Sequence, residues 1–505
     1  MTGPYLLGVD IGTSSTKGVL VTLDGRVLKD VRIEHAVSRP RPGWAEMDAE
    51  AIWWGESVRV IQSLIADSGA KQADIISVAV SSIGASFVPV DGRGSPLRPG
   101  ILYGIDTRAV KEMEELEKLF GVEHIRASTG RDLSTQSVGA KLQWFKKNEP
   151  HLWSKTARFE SPVSFVTGRL TGRSCVDYHT ALSFHPLFHI ANNSWDKATC
   201  AEVLGGCERL PDIAWPQQVI GGVSKEGAAA TGLRAGTSVV CGTSDVIAEA
   251  LGAGVTDPGE TLVMFGSTLF LVHLTSRFGA APPMWPSYFV RPGIATVLAG
   301  TSTAGAVIQW FRERLLGGCD SATFDGLLHG AEQLSAGAGG LLALPYFSGE
   351  RSPVFDPHAS GMILGLSVRH SGANILRALL ESIAFSFRHN VEMLESTVGR
   401  SRRYVVSGGG ANIKLLTKLS SDVSGLPLSI TGRRDAAPVG CAYLAGLGAK
   451  VFSDFSVLRE RWSLIEEKVE PDKSVRAPYD RLFGLYLDAY RQNASAMHAL
   501  SEFGD

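Results

Sequence analysis

Asp10 ends a short apolar run, Tyr5-Leu-Leu-Gly-Val-Asp10, and is followed by Gly12 and three hydroxyl residues, Thr13, Ser14 and Ser15. These residue types suit phosphate chemistry. A Gly-Thr-Ser turn offers backbone N–H groups and hydroxyls to a phosphate, and an adjacent carboxylate can hold Mg²⁺ through water. A second carboxylate, Asp245, follows the run Thr237-Ser-Val-Val-Cys241 and the small residues Gly242-Thr-Ser244. The pattern puts it at the C-terminal end of a strand and the mouth of a helix. Open α/β folds place ligand chemistry there, although an Asp at that point also serves as a plain N-cap. Glu260-Thr-Leu-Val-Met-Phe-Gly-Ser-Thr-Leu-Phe-Leu-Val272 repeats the opening layout, with a Gly-Ser-Thr turn between two apolar runs. Tyr404-Val-Val-Ser-Gly-Gly-Gly-Ala-Asn412 brings a further strand to a bare glycine turn. Backbone of that kind can lie flat against a planar ring or a phosphate.

The elements that must carry these residues follow from periodicity. After Lys17 the chain runs back as Gly18 to Leu23, turns at Asp24-Gly25, and runs out through Val27-Leu28. Asp-Gly between two apolar runs is a hairpin signal. The first turn therefore sits in an antiparallel meander, unlike a P-loop, where the strand leads into a helix. Its hydroxyls equally suit an ordinary turn. A helix is expected from about Ala49, with Trp53, Trp54, Ile61 and Ile65 facing the core. Ile75 to Val80 reads as a buried strand ending in the small residues Ser81 to Ser86. Phe87 to Val90 and Pro99 to Tyr103 are expected to continue that sheet, with Asp106 and Arg108 after it. Ala109 to about Leu204 reads as mainly helical. His179, His185 and His189 fall close together there, but Pro186 would disturb the helix needed to align them on a metal.

Further on, Ala299 to Gly305 leads into a helix over Ala306 to Leu315, and Leu341 to Pro345 reads as a buried strand. Phe347 to His358 is a polar loop, Ile375 to Leu394 a long helix, and the amphipathic tail from Arg476 packs on a second domain. The two strand–turn–strand stretches suggest two domains on one plan, their phosphate turns facing each other across a cleft.

Composition narrows the field. The chain has 505 residues, 44% hydrophobic and 20% charged, with a formal net charge of −2. That length calls for more than one core. No basic block asks for nucleic acid or a membrane surface. The first apolar run is cut by Asp10 and lacks a basic leader, so a signal peptide is not expected. No run is long enough to span a membrane. Six cysteines without CxxC spacing read as reduced, mostly buried thiols, which points to the cytoplasm.

Taken in order, these pieces resemble the FGGY family of carbohydrate kinases over nearly the whole chain. Asp10-Ile-Gly-Thr-Ser-Ser-Thr-Lys17 resembles the family's first phosphate motif, and Pro42-Gly-Trp-Ala-Glu46 its PGWxEQ loop, with Met47 replacing Gln. Gly349-Glu-Arg-Ser-Pro353, then Gly361-Met-Ile-Leu-Gly365 running to Glu381, resembles the C-terminal signature, from which Leu379 departs. Gly408 to Asn412 resembles the adenosine motif.

The resemblance implies an α/β fold of two domains, of the actin/hexokinase/Hsp70 (ribonuclease H-like) group, with an active-site cleft between them. Residues 1–240 would form the sugar and phosphate side, and 241–505 the nucleotide side. It implies ATP and Mg²⁺ as cofactors and a sugar or polyol as substrate; the sequence leaves the oligomeric state open, with a homodimer as one assembly. By position, Asp245 matches the catalytic base and, with Asp10, lies near Mg²⁺. Gly12, Thr13, Ser14 and Lys17 match the first phosphate site, and Ser267 and Thr268 the second. Gly305, Gln309, Gly409, Gly410 and Asn412 match nucleotide contacts.

The overall look is xylulokinase-like, but the substrate side departs from that pattern at Ile83-Gly-Ala-Ser86, at Val246 and by one extra residue between Tyr103 and Asp106. Gly84, Ala85, Tyr103, Asp106 and Val246 are therefore the expected substrate residues. Losing the usual His and Asn removes two polar partners for sugar hydroxyls, and a buried hydroxyl without a partner costs about 1–3 kcal/mol. Another polyol, a tetrulose or an aldonate stays open as acceptor. An actin- or Hsp70-like ATPase and a non-catalytic sugar sensor are the readings of other classes; the intact Asp10, Thr13 and Asp245 argue against the sensor.

Overall fold

The computed structural model describes residues 3–280, 283–433, 435–462 and 464–503. Two compact units result. The first takes Met1–Thr256, Ser287–Ala295 and Asp435–Ser463, the second Asp257–Pro286, Thr296–Arg434 and Leu464–Asp505. The units do not divide at 240/241, because residues 241–256 and the returning segment from Asp435 belong with the first.

The sheet of the first unit is built on β1 (Tyr5–Ile11), β2 (Ser15–Thr22), β3 (Val27–Glu34), β4 (Ile75–Ser82), β5 (Val219–Gly222), β6 (Ser238–Val240) and the short β7 (Thr243–Ser244). Every residue of β1 is buried, as a continuous apolar run between neighbours on both sides requires. β1 runs antiparallel to β2, with Asp10 opposite Lys17, and parallel to β4, with Asp10 opposite Ser81. The order is β5-β6-β4-β1-β2-β3, and β7 pairs with β4 as well. The tips of β1, β4 and β7 thus end together.

Two helices cover this sheet. Gly55–Ser68 packs on β2 and β3, and Ala436–Gly448 packs on β1, β4 and the helix Asp245–Gly252. The last approach is backbone to backbone. A Cβ on Gly440 would lie 2.0 Å from the carbonyl oxygen of Ala248, and one on Gly252 would lie 1.9 Å from that of Ala436. Only glycine fits at either point.

Phe87 to Val90 and Pro99 to Tyr103 do not continue the main sheet. Val88–Val90 pairs with Arg158–Glu160, and Gly100–Ile101 with Glu46–Met47, each as a separate antiparallel ladder. Ala85, at φ 50°, turns the chain off the line of β4, and Pro89 and Pro99 have no N–H for a long ladder. The segment 109–204 is mainly helical with short strands between. His185 is buried against Ser137, at 2.6 Å, and among the described residues no group of three or more metal-ligating side chains occurs.

The second unit repeats the plan with β8 (Glu260–Phe265), β9 (Leu269–Thr275), β10 (Ala295–Gly300), β11 (Arg403–Ser407) and β12 (Leu428–Thr431). Their order is β10-β9-β8-β11-β12; β8 is antiparallel to β9 and parallel to β11, and β11 is parallel to β12. This matches β3-β2-β1-β4-β6 strand for strand. The long helix Gly372–Val398 and the C-terminal helix Arg476–Ser501 complete its core, where Tyr346 and Tyr486 share a hydrogen bond of 2.8 Å.

Candidate active site

In the first unit the acidic residues converge. Asp10 is buried, and one carboxylate oxygen accepts from the Ser81 hydroxyl at 2.7 Å. Burial raises its pKa; Lys17 and Ser81 oppose that rise. Lys17 is ion-paired with Asp435 at 2.8 Å. Burial draws the Lys17 ammonium down, but Asp10 and Asp435 outweigh it and leave it above its ordinary value.

Asp245 is the first residue of the helix Asp245–Gly252, and Ser244, not Asp245, is the N-cap. Among the described residues the Asp245 carboxylate accepts only from the adjacent Val246 N–H, at 2.8 Å. That leaves its outer oxygen for other work. Burial first, and the nearby Asp10 charge second, push Asp245 up to about 7. Asp10 raises Asp245, with Glu249 adding less, and Asp435 raises Asp10; two such carboxylates are a poor complete cage but a good half of one. Mg²⁺ keeps several waters and takes one or two carboxylates plus phosphate oxygens, so these donors fit it.

The turn Gly12–Ser14 projects beside Asp10. Gly12 N–H donates to Ser15 at 2.9 Å, while the N–H groups of Thr13 and Ser14 meet no acceptor among the described residues. Ser14 is exposed, and Thr13 is half-buried with its hydroxyl 2.9 Å from that of Tyr103.

The remaining substrate-side residues separate into two kinds. Gly84 is half-buried, with only the Ser244 side chain within 4 Å of where a Cβ would stand, and Val246 is half-buried at the helix mouth. Ala85, next to Gly84, is buried and has a left-handed backbone. Asp106, expected to meet substrate, is instead wholly enclosed: it accepts from Arg108 and, at 2.7 Å, from the Ala45 N–H. Arg108 also pairs with Glu46 at 2.8 Å and lies 3.9 Å over the Trp44 ring. The Pro42–Glu46 loop is therefore the cover of this ion pair, and Asp106 supports the Tyr103 loop from inside. Lys141, also buried, donates to the carbonyls of Leu102 and Tyr103 from the other side.

In the second unit the corresponding turn, Gly266–Thr268, is tighter by one residue. Gly266 N–H donates to Thr268 at 2.9 Å, and Ser267 is exposed. Gly305 rests on this turn; a Cβ there would lie 2.6 Å from the Gly266 carbonyl oxygen. Gln309 is exposed one helical turn on, bonded to Glu313 at 2.9 Å. Gly409, Gly410 and Asn412 form the single turn Gly409–Asn412 after β11. Gly410 is pressed on Phe265, whereas nothing lies within 4 Å of a Cβ on Gly409. That open face suits a planar ring.

Sequence reasoning missed Ser81 as the partner of Asp10, and Asp435 altogether. The serine pair at the end of β4 was a weak signal for the first. Nothing local marks Asp435, which reaches Lys17 only because the Ala436–Gly448 helix folds back into the first unit.

Two sheets of one topology, each with a glycine-hydroxyl turn between its first strands, and a pair of carboxylates at the strand tips define a phosphotransferase. Residues 5–252 match the N-terminal domain and residues 264–449 the C-terminal domain of the FGGY family of carbohydrate kinases. The chain belongs to that family, and it is a phosphotransferase with an alcohol group as acceptor. It is similar to xylulose kinase of Bacillus subtilis, 27% identical over 503 residues and 99% of each chain. It is also similar to glycerol kinase of Nocardia farcinica, 27% identical over 91% of this chain and 93% of that one. The crystal structure of xylulose kinase from Rhodospirillum rubrum superposes with a TM-score of 0.89 at 30% identity, covering 98% of this chain and 100% of the other. No helix among the described residues is long and apolar enough to cross a membrane.

Proposed function

We propose that this kinase transfers the γ-phosphoryl group of ATP to a hydroxyl of a ketose such as xylulose, with Asp245 as the base. One observation supports this above the others. Asp245 stands at a strand tip with a carboxylate oxygen uncommitted, pushed up to about 7 by burial and by Asp10. A base poised near neutrality is well matched to taking a hydroxyl proton late in the transfer. Asp10, steered by Ser81, and Asp245 would hold Mg²⁺, which supplies charge neutralisation for the phosphates. Thr13 and Ser14 offer unpartnered N–H groups to phosphate oxygens, and Ser267 and Thr268 present the equivalent turn of the second unit. Gly409, Gly410 and Asn412 would receive the adenosine. Most of the acceleration then comes from holding the reacting groups in line.

The ketose reading draws on the xylulose kinases among the relatives. The apolar lining at Gly84, Ala85 and Val246 supports an acceptor that asks for fewer side-chain hydrogen bonds there, so a polyol, tetrulose or aldonate is the second reading. The test is ADP release with Mg-ATP against pentuloses, hexuloses, tetruloses, polyols and aldonates. One acceptor with kcat/KM far above the rest settles the substrate. ATP hydrolysis indifferent to every acceptor would overturn the kinase reading of this chain.

A further inference from the structure

The turn that presents Thr13 and Ser14 is braced from behind by three side chains. His35 lies just past β3, Glu56 in the first turn of the helix Gly55–Ser68, and Thr16 on β2. The side chains of His35 and Glu56 are only 4% and 5% exposed. His35 Nε2 stands 3.1 Å from the carbonyl oxygen of Gly12, and its Nδ1 stands 2.8 Å from Glu56 Oε2. The same Glu56 oxygen accepts from the Thr16 hydroxyl at 2.8 Å, while Glu56 Oε1 faces Arg59 at 3.5 Å. The backbone N–H of His35 donates to Ser14 O at 3.0 Å. One residue therefore occupies the carbonyls of both Gly12 and Ser14.

That matters because a trans peptide points its C=O and N–H in opposite directions. Fixing Gly12 O against the His35 ring turns the Thr13 N–H away from the interior, where it meets no acceptor among the described residues. The two ring contacts also set a condition on the ring. A carbonyl can only accept, so the contact with Gly12 is made by a proton on Nε2, and the Glu56 contact at Nδ1 fixes the ring's orientation. This is more apparatus than a surface hairpin needs.

We infer that His35, locked by Glu56, is a positioning residue that aims the donors of the Gly12–Ser14 turn at a phosphate of the nucleotide. The inference rests on the reading of that turn as a phosphate site. A bracing role alone would change stability and leave the substrates' constants untouched. A positioning role acts on the phosphate and spares the sugar.

The test uses the full ¹⁵N-labelled chain, titrated with Mg²⁺-AMP-PNP and separately with adenosine, following the Thr13 and Ser14 amide resonances, together with steady-state kinetics. In the unaltered protein AMP-PNP shifts both amides and adenosine does not. In His35→Ala, AMP-PNP affinity and KM for ATP worsen about tenfold, the scale of one lost hydrogen bond, while adenosine affinity and KM for the sugar stay put. His35→Gln, which returns an N–H₂ to Gly12, recovers part of the loss. Should His35→Ala not fold, Glu56→Gln keeps the shape and removes the charge, and a smaller loss in the same direction is expected. Unchanged AMP-PNP affinity and KM for ATP in a folded variant would overturn the positioning role. Thr13 and Ser14 amides that ignore AMP-PNP in the unaltered protein would overturn the phosphate reading of the turn, and the inference with it.

Discussion

The hydroxyls of Thr13 and Tyr103 lie 2.9 Å apart, so the glycine turn and the loop that follows Ile101 are tied by one hydrogen bond. Neither residue is tied down by burial, since both are half-buried. The bond instead couples a proposed phosphate contact to a proposed acceptor contact. Tyr103→Phe removes only the phenolic oxygen. A bond of this kind is worth about 0.5–1.5 kcal/mol net, so kcat/KM should fall about two- to tenfold. Thermal stability should barely move. Steady-state kinetics with each substrate varied would show the loss on both, and a loss confined to one substrate would deny the coupling.

Asp245→Asn should fold, because the Val246 N–H can bond the amide oxygen as it does the carboxylate. Binding of ATP should survive. Turnover should fall by about 10²–10⁴-fold, the usual share of a general base. Comparing kcat with the melting temperature separates lost chemistry from lost structure. A variant that keeps near-normal kcat would remove Asp245 from the role of base.

Arg108 is held differently. Its guanidinium is wholly buried between Asp106 and Glu46 and stacks on Trp44. Arg108→Met leaves Asp106 without its guanidinium partner and Glu46 with Arg98 alone, and breaking a buried pair in this way costs about 3–5 kcal/mol. Arg108→Lys restores the charge but not the planar fork, so it should fall between the two. Urea unfolding of the three proteins gives the ranking. Equal midpoints would mean that the pair contributes nothing to stability.

How far the sequence foretold this molecule depends on the range of the contact. The meander around Asp10, the strand–turn–strand echo at Ser267 and Thr268, and Asp245 at the mouth of its helix are local patterns, written in apolar runs and glycines a few residues apart. The family motifs then joined them in order. Asp106 was misplaced because an acid near a strand end reads the same from sequence whether it faces a ligand or Arg108. The Lys17–Asp435 pair and the His35–Glu56 brace were not legible, since each joins residues that only the tertiary fold brings together. The helix Ala436–Gly448 is the extreme case. Its small residues say that something packs closely, but not that the partner is β1, more than 400 positions earlier.

Glu350 offers a test of burial itself. It is 3% exposed, and one oxygen accepts from the N–H groups of Ser302 and Arg351 at 2.8 and 2.7 Å, while Oε2 has no hydrogen-bond partner among the described residues. Burial pushes it up to about 8, against the pull of those two N–H donors. Its unfolded value lies near 4.5. Between these limits the folded protein keeps a proton that the unfolded chain has released, so the folded state loses ground as pH rises through that window. The slope from one such group is at most about 1.4 kcal/mol per pH unit. Glu350→Gln retains an acceptor for Ser302 and Arg351 and cannot ionise. Melting curves at pH 5, 6.5 and 8 should therefore converge or cross, with the variant gaining on the parent as pH climbs. The amide N–H₂ adds an offset that is the same at every pH and does not affect the slope. Curves that run parallel across the window would mean that Glu350 is already ionised in the folded protein, and that its two N–H donors outweigh its burial.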